Sequence, residues 1–553
     1  MIDGFSIKLA APLIEDTLLH LVNLSLTQSK YPRYWKVSKI VPLHKKSDKT
    51  NGENYRPVSN IIFVSQICEK AAYEQLNDQF VSNQLLHPNN HGFRQNHNTV
   101  TALAQLQDMW LGVADKKEIS AALLLDLTAA FDLVDHEILL GKLKIYGLGP
   151  SALEWIQSYL EDRIQYVQVE SRLSDPKPTG NQGVPQGSIL GPLLFLIFYN
   201  DFPETKYPPE ENLPAGENIA IEPTIIPHLP TTSLSVLYAD DDSEHSQDKD
   251  PDQLMSKIQY EANCSTSWVS DNKLICSGAK TKLLVITTTA MRLSRLVGCI
   301  LQITVCGQIV KESSCEKILG ILVNNKLSWW HHLHGDNSDP ANPMPGLINQ
   351  LSKRVGMLAR LVKLLPKQRF IMLINRIFMS KLLYCIQLFG NSWTGEEWDT
   401  RQNSFTKANL MALQTLQNKV LRLLTGKRYD TPTADLFSET EFLSVNQLIA
   451  YSTLVLIFKI KNSGEPVYLS KRLGFRGEQQ NGCGVRPQNF HDINIDLRLA
   501  RGREGMLYPG SKLWNSLDIS LKQEKSVKSF KKLTKAWIRN HIPLKPTING
   551  VHF

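Results

Sequence analysis

Acidic residues stand at the ends of two short apolar segments of this chain. Asp240 and Asp241 come shortly after the apolar pair Val236-Leu237, and Asp126 closes the apolar run at 121–125. Short apolar runs of this kind are typical of buried strands, so each strand would present its acid at its end. Two divalent cations about 3.5–4 Å apart, the arrangement of two-metal phosphoryl or nucleotidyl transfer, require hard oxygen ligands such as these.

Three carboxylates gathered in this way would repel one another. At 4 Å the repulsion is roughly 4 kcal/mol at an effective dielectric constant of 20. The cluster therefore predicts two Mg²⁺ ions, with Mn²⁺ as a substitute, held by Asp126, Asp240 and Asp241. The alternative for each segment alone is a structural role, in which Asp126 caps a helix and Asp240-Asp241 form a solvated turn.

A glycine- and proline-rich segment, Gly183-Val184-Pro185-Gln186-Gly187-Ser188-Ile189-Leu190-Gly191-Pro192, lies between the two acidic positions. Glycine allows the backbone to approach a ligand closely. The apolar residues 193–199 that follow have the length of a short helix.

Three segments resemble motifs A, B and C of reverse transcriptases, and they occur in that order: Asp126, the glycine-rich segment, and Tyr238-Ala239-Asp240-Asp241. Their sequences are most similar to the non-LTR (LINE-type, jockey-like) retrotransposon branch. Further stretches resemble the same family in the same order: 35–42, 54–59, 91–94, 131–136, 280–282 and 318–321. The resemblance runs from about residue 3 to the C-terminus.

The resemblance implies an RNA-directed DNA polymerase, which extends a DNA primer with deoxynucleoside triphosphates on an RNA template. Asp126, Asp240 and Asp241 would be the catalytic metal ligands. Phe131 would lie against the sugar 2′ position and exclude a ribose hydroxyl. Lys280 would donate a proton to the departing pyrophosphate.

The remaining site residues implied by the resemblance would bind the nucleotide. Gln186 and Gly187 would line the nucleotide and template pocket, where a side chain at position 187 would clash with the incoming base or sugar. Arg56 and Arg94 would contact the triphosphate and the template, since arginine recognises phosphate with two hydrogen bonds. The alternative for each basic residue is a surface charge.

Three features depart from the family pattern. The segment after Asp241, at 242–248, is wholly polar and predicts a hairpin that lacks one buried face and holds its acids loosely. Gln66 stands where relatives often have lysine, and Ser277-Gly278-Ala279 replaces an Asn-Pro-Lys type of sequence. These departures favour the alternative of a catalytically degenerate protein that only binds RNA or template-primer duplex. An RNA-dependent RNA polymerase is disfavoured because Phe131 would block ribose.

The predicted fold class is α+β, a right-hand polymerase. We expect fingers at 1–118, a palm with an antiparallel sheet at 119–322, a helical thumb at 323–395 and an α-rich C-terminal extension at 396–553. The reverse transcriptase domain would span about 25–322, with a Pro-rich exposed insertion at 202–235. The thumb prediction depends on helical spacing of apolar residues opposite basic ones: Leu351, Val355, Leu358 and Val362 against Lys353, Arg360, Lys363 and Lys367.

Composition agrees with a large globular protein that binds a polyanion. The chain has 553 residues, 61 Lys and Arg against 53 Asp and Glu, and a net charge of +8. A basic segment around Trp537, with lysines from 522 to 535 and Arg539, predicts a terminal helix that binds RNA. Eight cysteines without a Cys-x-x-Cys pair indicate reduced thiols of an intracellular protein.

Targeting signals are not apparent in the sequence. We expect no membrane span, and no signal peptide at the N-terminus. An active protein would enter the nucleus at insertion and would otherwise be cytoplasmic. The family resemblance also implies an N-terminally truncated product, so that endonuclease activity would be supplied by a missing N-terminal domain or by another protein.

Overall fold

The computed structural model of the chain describes residues 4–45, 48–206, 233–339, 343–390, 407–475, 491–494 and 505–544. Most of the predicted insertion (207–232) and the predicted border between thumb and extension (391–406) lie outside the described residues. The two ends of the predicted exposed insertion are described, and there the prediction is wrong: Phe202 is fully buried, and 233–235 belong to a strand of the palm sheet. The α+β class is confirmed, because an antiparallel sheet is surrounded by helices along the whole described chain.

The palm is built on a four-stranded antiparallel sheet in the order β7-β8-β3-β9. Its strands are β3 (Ile119–Asp126), β7 (Ser233–Tyr238), β8 (Asp241–Asp248) and β9 (Lys282–Ile286). Alternate residues of β3 face opposite sides, with Ala121, Leu123 and Leu125 in one core and Ala122 and Leu124 in the other. The sheet therefore packs on both faces, and its acids stand at strand ends.

The prediction that the hairpin after Asp241 lacks a buried face is wrong. Strand β8 lies between β7 and β3, and its residues 242–246 are all buried. Neighbouring elements supply hydrogen bonds to its polar side chains: Ser235 donates to Glu244 at 3.1 Å, and Ser246 donates to Glu261 at 2.6 Å. The apolar residues of β3 and these bonds together allow a polar strand to occupy the centre of the sheet.

Helices and small hairpins complete the palm. They are α4 (His136–Ile145), α5 (Pro150–Leu160), α6 (Gly191–Phe198), α7 (Pro251–Asp271), α8 (Thr289–Arg295), β10 (Gln302–Val305), β11 (Gln308–Lys311), β12 (Cys315–Ile318) and β13 (Ile321–Asn324).

The fingers contain three helices and a second sheet. The elements are α1 (Gly4–Thr27), β1 (Val37–His44), β2 (Tyr55–Ile61), α2 (Phe63–Ser82) and α3 (Thr99–Asp115). Strand β1 pairs with β2 and also with β4 (Ile164–Val169), which in turn pairs with β5 (Arg172–Leu173) and β6 (Lys177–Pro178). The fingers sheet therefore draws strands from both sides of residue 118.

The thumb region is helical, as the spacing of its apolar residues predicts. It comprises α9 (Trp330–His334), β14 (Gly335–Asp336), β15 (Met344–Pro345), α10 (Leu347–Leu361), α11 (Lys367–Leu373), a π-helix (Ile374–Met379), α12 (Ser380–Leu383) and α13 (Ile386–Phe389). In α10, Leu351 and Leu358 are fully buried while Lys353 and Arg360 are exposed.

The C-terminal extension is α-rich and packs on the rest of the chain. Its helices are α14 (Lys407–Thr425), α15 (Thr433–Ser438), α16 (Val445–Ser463), α17 (Val467–Leu473), α18 (Leu507–Asn515), α19 (Ile519–Lys522) and α20 (Val527–His541). Arg472 and Tyr468 of α17 both bond the Asp108 carboxylate of α3, at 2.7 Å and 2.6 Å. The extension is thus joined to a fingers helix by a charged contact. None of the helices in the described ranges is long and apolar enough to cross a membrane.

Candidate active site

The predicted metal ligands meet at one edge of the palm sheet. Asp126 ends β3 and Asp241 begins β8, and the two residues are direct partners in the antiparallel register. Asp240 lies in the two-residue turn that joins β7 to β8, since Tyr238 and Asp241 also pair. The sheet therefore delivers all three carboxylates to the same strand ends, as the apolar runs predict.

Charge crowding is visible at Asp241. Desolvation in the cleft raises the pKa of its carboxyl, the negative charges of Asp240 and Asp126 raise it further, and the Arg56 guanidinium opposes them. Arg56 in the fingers is therefore within electrostatic reach of the acids. Its predicted contact with a phosphate stays a prediction.

Hard oxygen donors on adjacent strand ends fit a divalent cation in chemical type. In the described part of the chain, no set of three or more His, Cys, Asp or Glu side chains converges to hold a metal ion. Asp126 and Asp241 face each other, whereas Asp240 stands on the turn beside them. The backbone thus brings the three acids to one edge of the sheet, although their side chains are not gathered into a three-ligand set.

Lys280 lies beside Asp126, with its Nζ 3.6 Å from the Asp126 Oδ1. The loop that carries it is fixed to the end of β3: the Ser277 N–H donates to the Asp126 carbonyl at 2.9 Å, and the Thr128 N–H donates to the Ile275 carbonyl at 2.8 Å. The sequence Ser277-Gly278-Ala279, which departs from the family pattern, fits the packing of this loop. A Cβ at Gly278 would lie 2.6 Å from the Val305 carbonyl oxygen, so glycine is required there. The structure therefore brings the predicted proton donor to the acids.

A cavity of about 440 Å³ opens beside these residues. Its lining includes Asp126, Asp241 and Lys280, together with Tyr238 and Lys317. Lys317 comes from the β12–β13 hairpin, so the cavity lies between this hairpin and the palm sheet. Its volume is in the range of ordinary ligand sites.

The glycine-rich segment folds onto the turn that follows Asp126. The Val184 N–H donates to the Phe131 carbonyl at 2.9 Å, and Gln186 Nε2 bonds both carboxylate oxygens of Asp132 at 3.0 Å. The Phe131 ring stacks on Phe195 with centroids 4.2 Å apart. The predicted sugar-facing ring therefore has a fixed orientation, and Gln186 lies next to it.

Gly187 is required by a protein contact. Its φ is +115°, and a Cβ there would lie 2.6 Å from the Ser59 carbonyl oxygen of β2. The Ser59 N–H also donates to the Gln186 carbonyl at 2.7 Å. The segment is thus joined to the fingers sheet near Arg56, and the predicted clash of a position-187 side chain with a nucleotide stays a prediction.

Arg94 is directed into its own loop. Its Nη1 donates to the carbonyls of His87 and Asn90, at 2.7 Å and 3.2 Å, and burial lowers the pKa of its guanidinium. The structure gives Arg94 a role in shaping this loop and does not group it with the acids, so its predicted phosphate contact stays a prediction.

The loop held by Arg94 supports the acidic turn, which the sequence did not indicate. The His91 N–H donates to the Leu237 carbonyl at 2.8 Å, and a Cβ at Gly92 would lie 2.3 Å from the Ala239 backbone nitrogen. Ala239 itself has a φ of +61°. Two further residues near the acids were not singled out as site residues from the sequence. Asp132 lies within the recognised stretch 131–136, and Lys317 precedes the recognised stretch 318–321.

An antiparallel palm with acids on neighbouring strand ends, set between fingers and a helical thumb, defines a right-hand polymerase. The family model described as "Reverse transcriptase (RNA-dependent DNA polymerase)" matches residues 43–323, just over half of the 553-residue chain. The chain belongs to this family, and the resemblance inferred from its motifs is confirmed.

Relatives point to the same branch. The chain is similar to the probable RNA-directed DNA polymerase from transposon BS of Drosophila melanogaster, with 27% identity over 78% of this chain and 43% of the relative. It is also similar to the RNA-directed DNA polymerase from mobile element jockey of the same species, with 25% identity over 79% and 43%. The chain thus spans less than half the length of these curated relatives.

Among solved structures, apo telomerase from Candida tropicalis matches 80% of this chain and 69% of its own, at 13% identity and a TM-score of 0.35. That likeness is too distant to bear on function.

Proposed function

We propose that this chain is an RNA-directed DNA polymerase of a non-LTR retrotransposon, which adds deoxynucleotides to a DNA primer on an RNA template. The observation that carries the proposal is the pairing of Asp126 with Asp241, with Asp240 in the adjoining turn, at the open end of the palm sheet. The names of the relatives support the same reaction.

Two Mg²⁺ ions, or Mn²⁺, would be held by Asp126, Asp240 and Asp241 and, when bound, would activate the primer hydroxyl and neutralise charge on the phosphates. The chain's own residues would position the reactants. Arg56 would bind the triphosphate from the fingers side, because its charge already acts on Asp241. Lys280 would deliver a proton to the departing pyrophosphate.

The test is primer extension on an RNA template with Mg²⁺ and deoxynucleotides. We expect Asp240→Asn to lower the rate by roughly a hundredfold or more, as is usual when a metal ligand is lost. Asp78→Asn, an exposed acid on α2, is the matched control and should extend like the wild type. Equal rates for Asp240→Asn and the wild type would refute the assignment of the acids.

A second candidate, a degenerate protein that binds template-primer without extending it, is favoured by one observation. Buried polar residues fill β8, with Glu244 fully buried and Asp242 3% exposed, and a buried carboxylate costs stability unless its partners compensate for the lost hydration. If wild type and variant both bind the duplex with a steep salt dependence and neither extends it, this candidate is the correct one.

Sugar selection is a separate expectation, carried by the fixed ring of Phe131. Phe131→Ala should increase ribonucleotide incorporation on the order of tenfold to a hundredfold, because the ring would no longer exclude the 2′-hydroxyl. Single-nucleotide incorporation with ribo- and deoxyribonucleotides measures the ratio. Tyr34→Ala, which removes an exposed aromatic ring, should leave the ratio unchanged. Efficient ribonucleotide use by the wild type would contradict the role of Phe131.

A further inference from the structure

The C-terminal helix α20 has two sharply different faces. Its inward face is formed by Phe530, Thr534, Trp537 and Ile538, which are buried. Its outward face carries Lys528, Lys531, Lys532, Lys535 and Arg539. At 100° per residue these five cations fall within an arc of about 100° that borders the buried stripe at Lys531, and Lys535 is half-buried. The helix contains no acidic residue.

The positive charge of this face is reinforced by its neighbours. Lys459 of α16 is close enough to Lys531 that the like charge adds to burial in lowering the pKa of Lys459. Burial and the charge of Arg539 lower the pKa of Lys535, and the nearby Glu441 carboxylate opposes them. Within the described residues, none of the five outward cations forms an ion pair with an acid. The face therefore presents concentrated charge that an external polyanion would neutralise.

The geometry of the face fits one nucleic-acid strand. Lys528 and Arg539 are 11 positions apart, which corresponds to about 16 Å along a helix. A strand of a nucleic acid carries one phosphate per roughly 3.4 Å along its axis, so about five phosphates match five cations. Four of the five are lysines, which act as point charges toward phosphate and do not read base edges.

We propose that the outward face of α20, with Lys459, binds the phosphate backbone of an RNA strand at a site separate from the candidate active site. The choice of RNA depends on the proposed function, in which the template is RNA. The contact would hold a long template in place without regard to its sequence.

The test uses the full chain and a variant that combines Lys528→Gln, Lys532→Gln, Lys535→Gln and Arg539→Gln. Binding of a 5′-labelled single-stranded RNA of mixed sequence is measured as a function of KCl. The association constant K falls with salt, and the plot of log K against log [KCl] should be less steep for the variant by about 3, since four lost contacts each contribute roughly 0.7 to the slope. Thermal unfolding of the variant is measured beside the wild type, because Lys535 is half-buried and the Arg539 Nη2 donates to the Glu441 carbonyl at 2.8 Å. The variant should still unfold in one cooperative transition.

The matched control combines Lys116→Gln, Lys117→Gln, Lys144→Gln and Lys249→Gln, four exposed lysines elsewhere on the chain. An equal fall in slope for both variants would overturn the proposal, because net charge alone would then explain it. A duplex DNA of equal length is the second probe. It is compared by dissociation constant at one KCl concentration, because each contact contributes about 0.9 to the salt slope on duplex DNA and about 0.7 on a single strand. A larger fold-loss of affinity on that DNA than on RNA would also overturn the proposal.

Primer extension on a short, pre-annealed template-primer separates this proposal from the proposed function. The variant should extend it within about twofold of the wild type at saturating substrate. If the wild type fails to extend but the two variants differ in RNA binding as expected, the surface stands and the polymerase assignment fails. An unchanged RNA slope in an active enzyme would refute the surface and leave the polymerase assignment standing.

Discussion

At the scale of single residues, the acids depend on a glycine in another part of the chain. A Cβ at Gly92 would lie 2.3 Å from the Ala239 backbone nitrogen, a distance that forces the turn bearing Asp240 to move. We expect Gly92→Ala to lower the rate of primer extension by tenfold or more, because displacements of about 1 Å in a site can cost that much. Template-primer affinity should change little.

Gly112→Ala is the control for this substitution. Gly112 lies within α3, and a Cβ there meets nothing within 4 Å. This variant should keep full activity and gain up to about 1 kcal/mol of stability, since alanine favours helices. Full activity of Gly92→Ala would show that the turn does not need this support.

The sequence predicted which residues reach the site better than it predicted what holds them there. Asp126, Asp241 and Lys280 are together because apolar runs and recognised motifs specify strand ends. Two features were not predictable: the contact that requires glycine at 187, and the hydrogen bonds of Arg94 within its own loop. The first depends on the carbonyl of Ser59, which is distant in sequence, and the second on a carbonyl in an irregular loop. Such contacts leave no periodic signal in a sequence.

At the scale of elements, β8 shows where pattern reasoning fails. A strand whose residues 242–248 are all polar predicts exposure, because burial of polar groups is costly without partners. Here the partners come from β7 and α7, which lie before and after it in the chain. The helices of the thumb were predictable by contrast, since Leu351 and Leu358 repeat at the helical period within one segment.

The contact between α3 and α17 leads to a prediction about how the C-terminal extension is held. Arg472 binds Asp108 through two nitrogens, at 2.7 Å and 3.0 Å, and Tyr468 donates to the same carboxylate. Asp108→Asn should cost about 1–2 kcal/mol of unfolding free energy, because it weakens the bonds to a buried carboxylate, while solvent around the exposed Arg472 screens part of the charge. Denaturant unfolding measures the loss.

Asp175→Asn, an exposed acid in a loop, serves as the reference and should stay within about 0.5 kcal/mol of the wild type. Limited proteolysis adds a spatial readout. If the network holds the extension in place, Asp108→Asn should speed cleavage within 407–475 more than within the palm. Equal stability of the two variants would mean that the contact contributes nothing to the docking of the extension.

At the scale of the whole molecule, buried neutral histidines make stability depend on pH. Burial lowers the pKa of His91 and of His332 to about 3, and that of His97 to about 4. The His91 ring nitrogens lie 2.9 Å from the Thr101 hydroxyl and 2.9 Å from the Gln105 side-chain oxygen. The Gln105 contact raises the pKa of His91, and burial outweighs it. An unfolded histidine takes up a proton near pH 6.5, so stability should be complete above that pH and decline as the pH falls toward the folded values.

The expected loss at pH 5 is about 2 kcal/mol for each such histidine, since the unfolded state alone binds the proton. Thermal unfolding between pH 7.5 and pH 5 measures it.

His332→Gln should reduce the loss of unfolding free energy between pH 7.5 and pH 5 by about 2 kcal/mol, the contribution of one histidine. The substitution can also change stability at neutral pH, but only the slope of stability against pH measures the proton uptake. His20→Gln, an exposed histidine on α1, should leave the slope unchanged. Raised carboxyl pKa values, such as that of Glu69, act in the opposite direction, so the comparison between variants isolates the histidine. A slope that His332→Gln leaves intact would mean that this histidine is protonated in the folded chain.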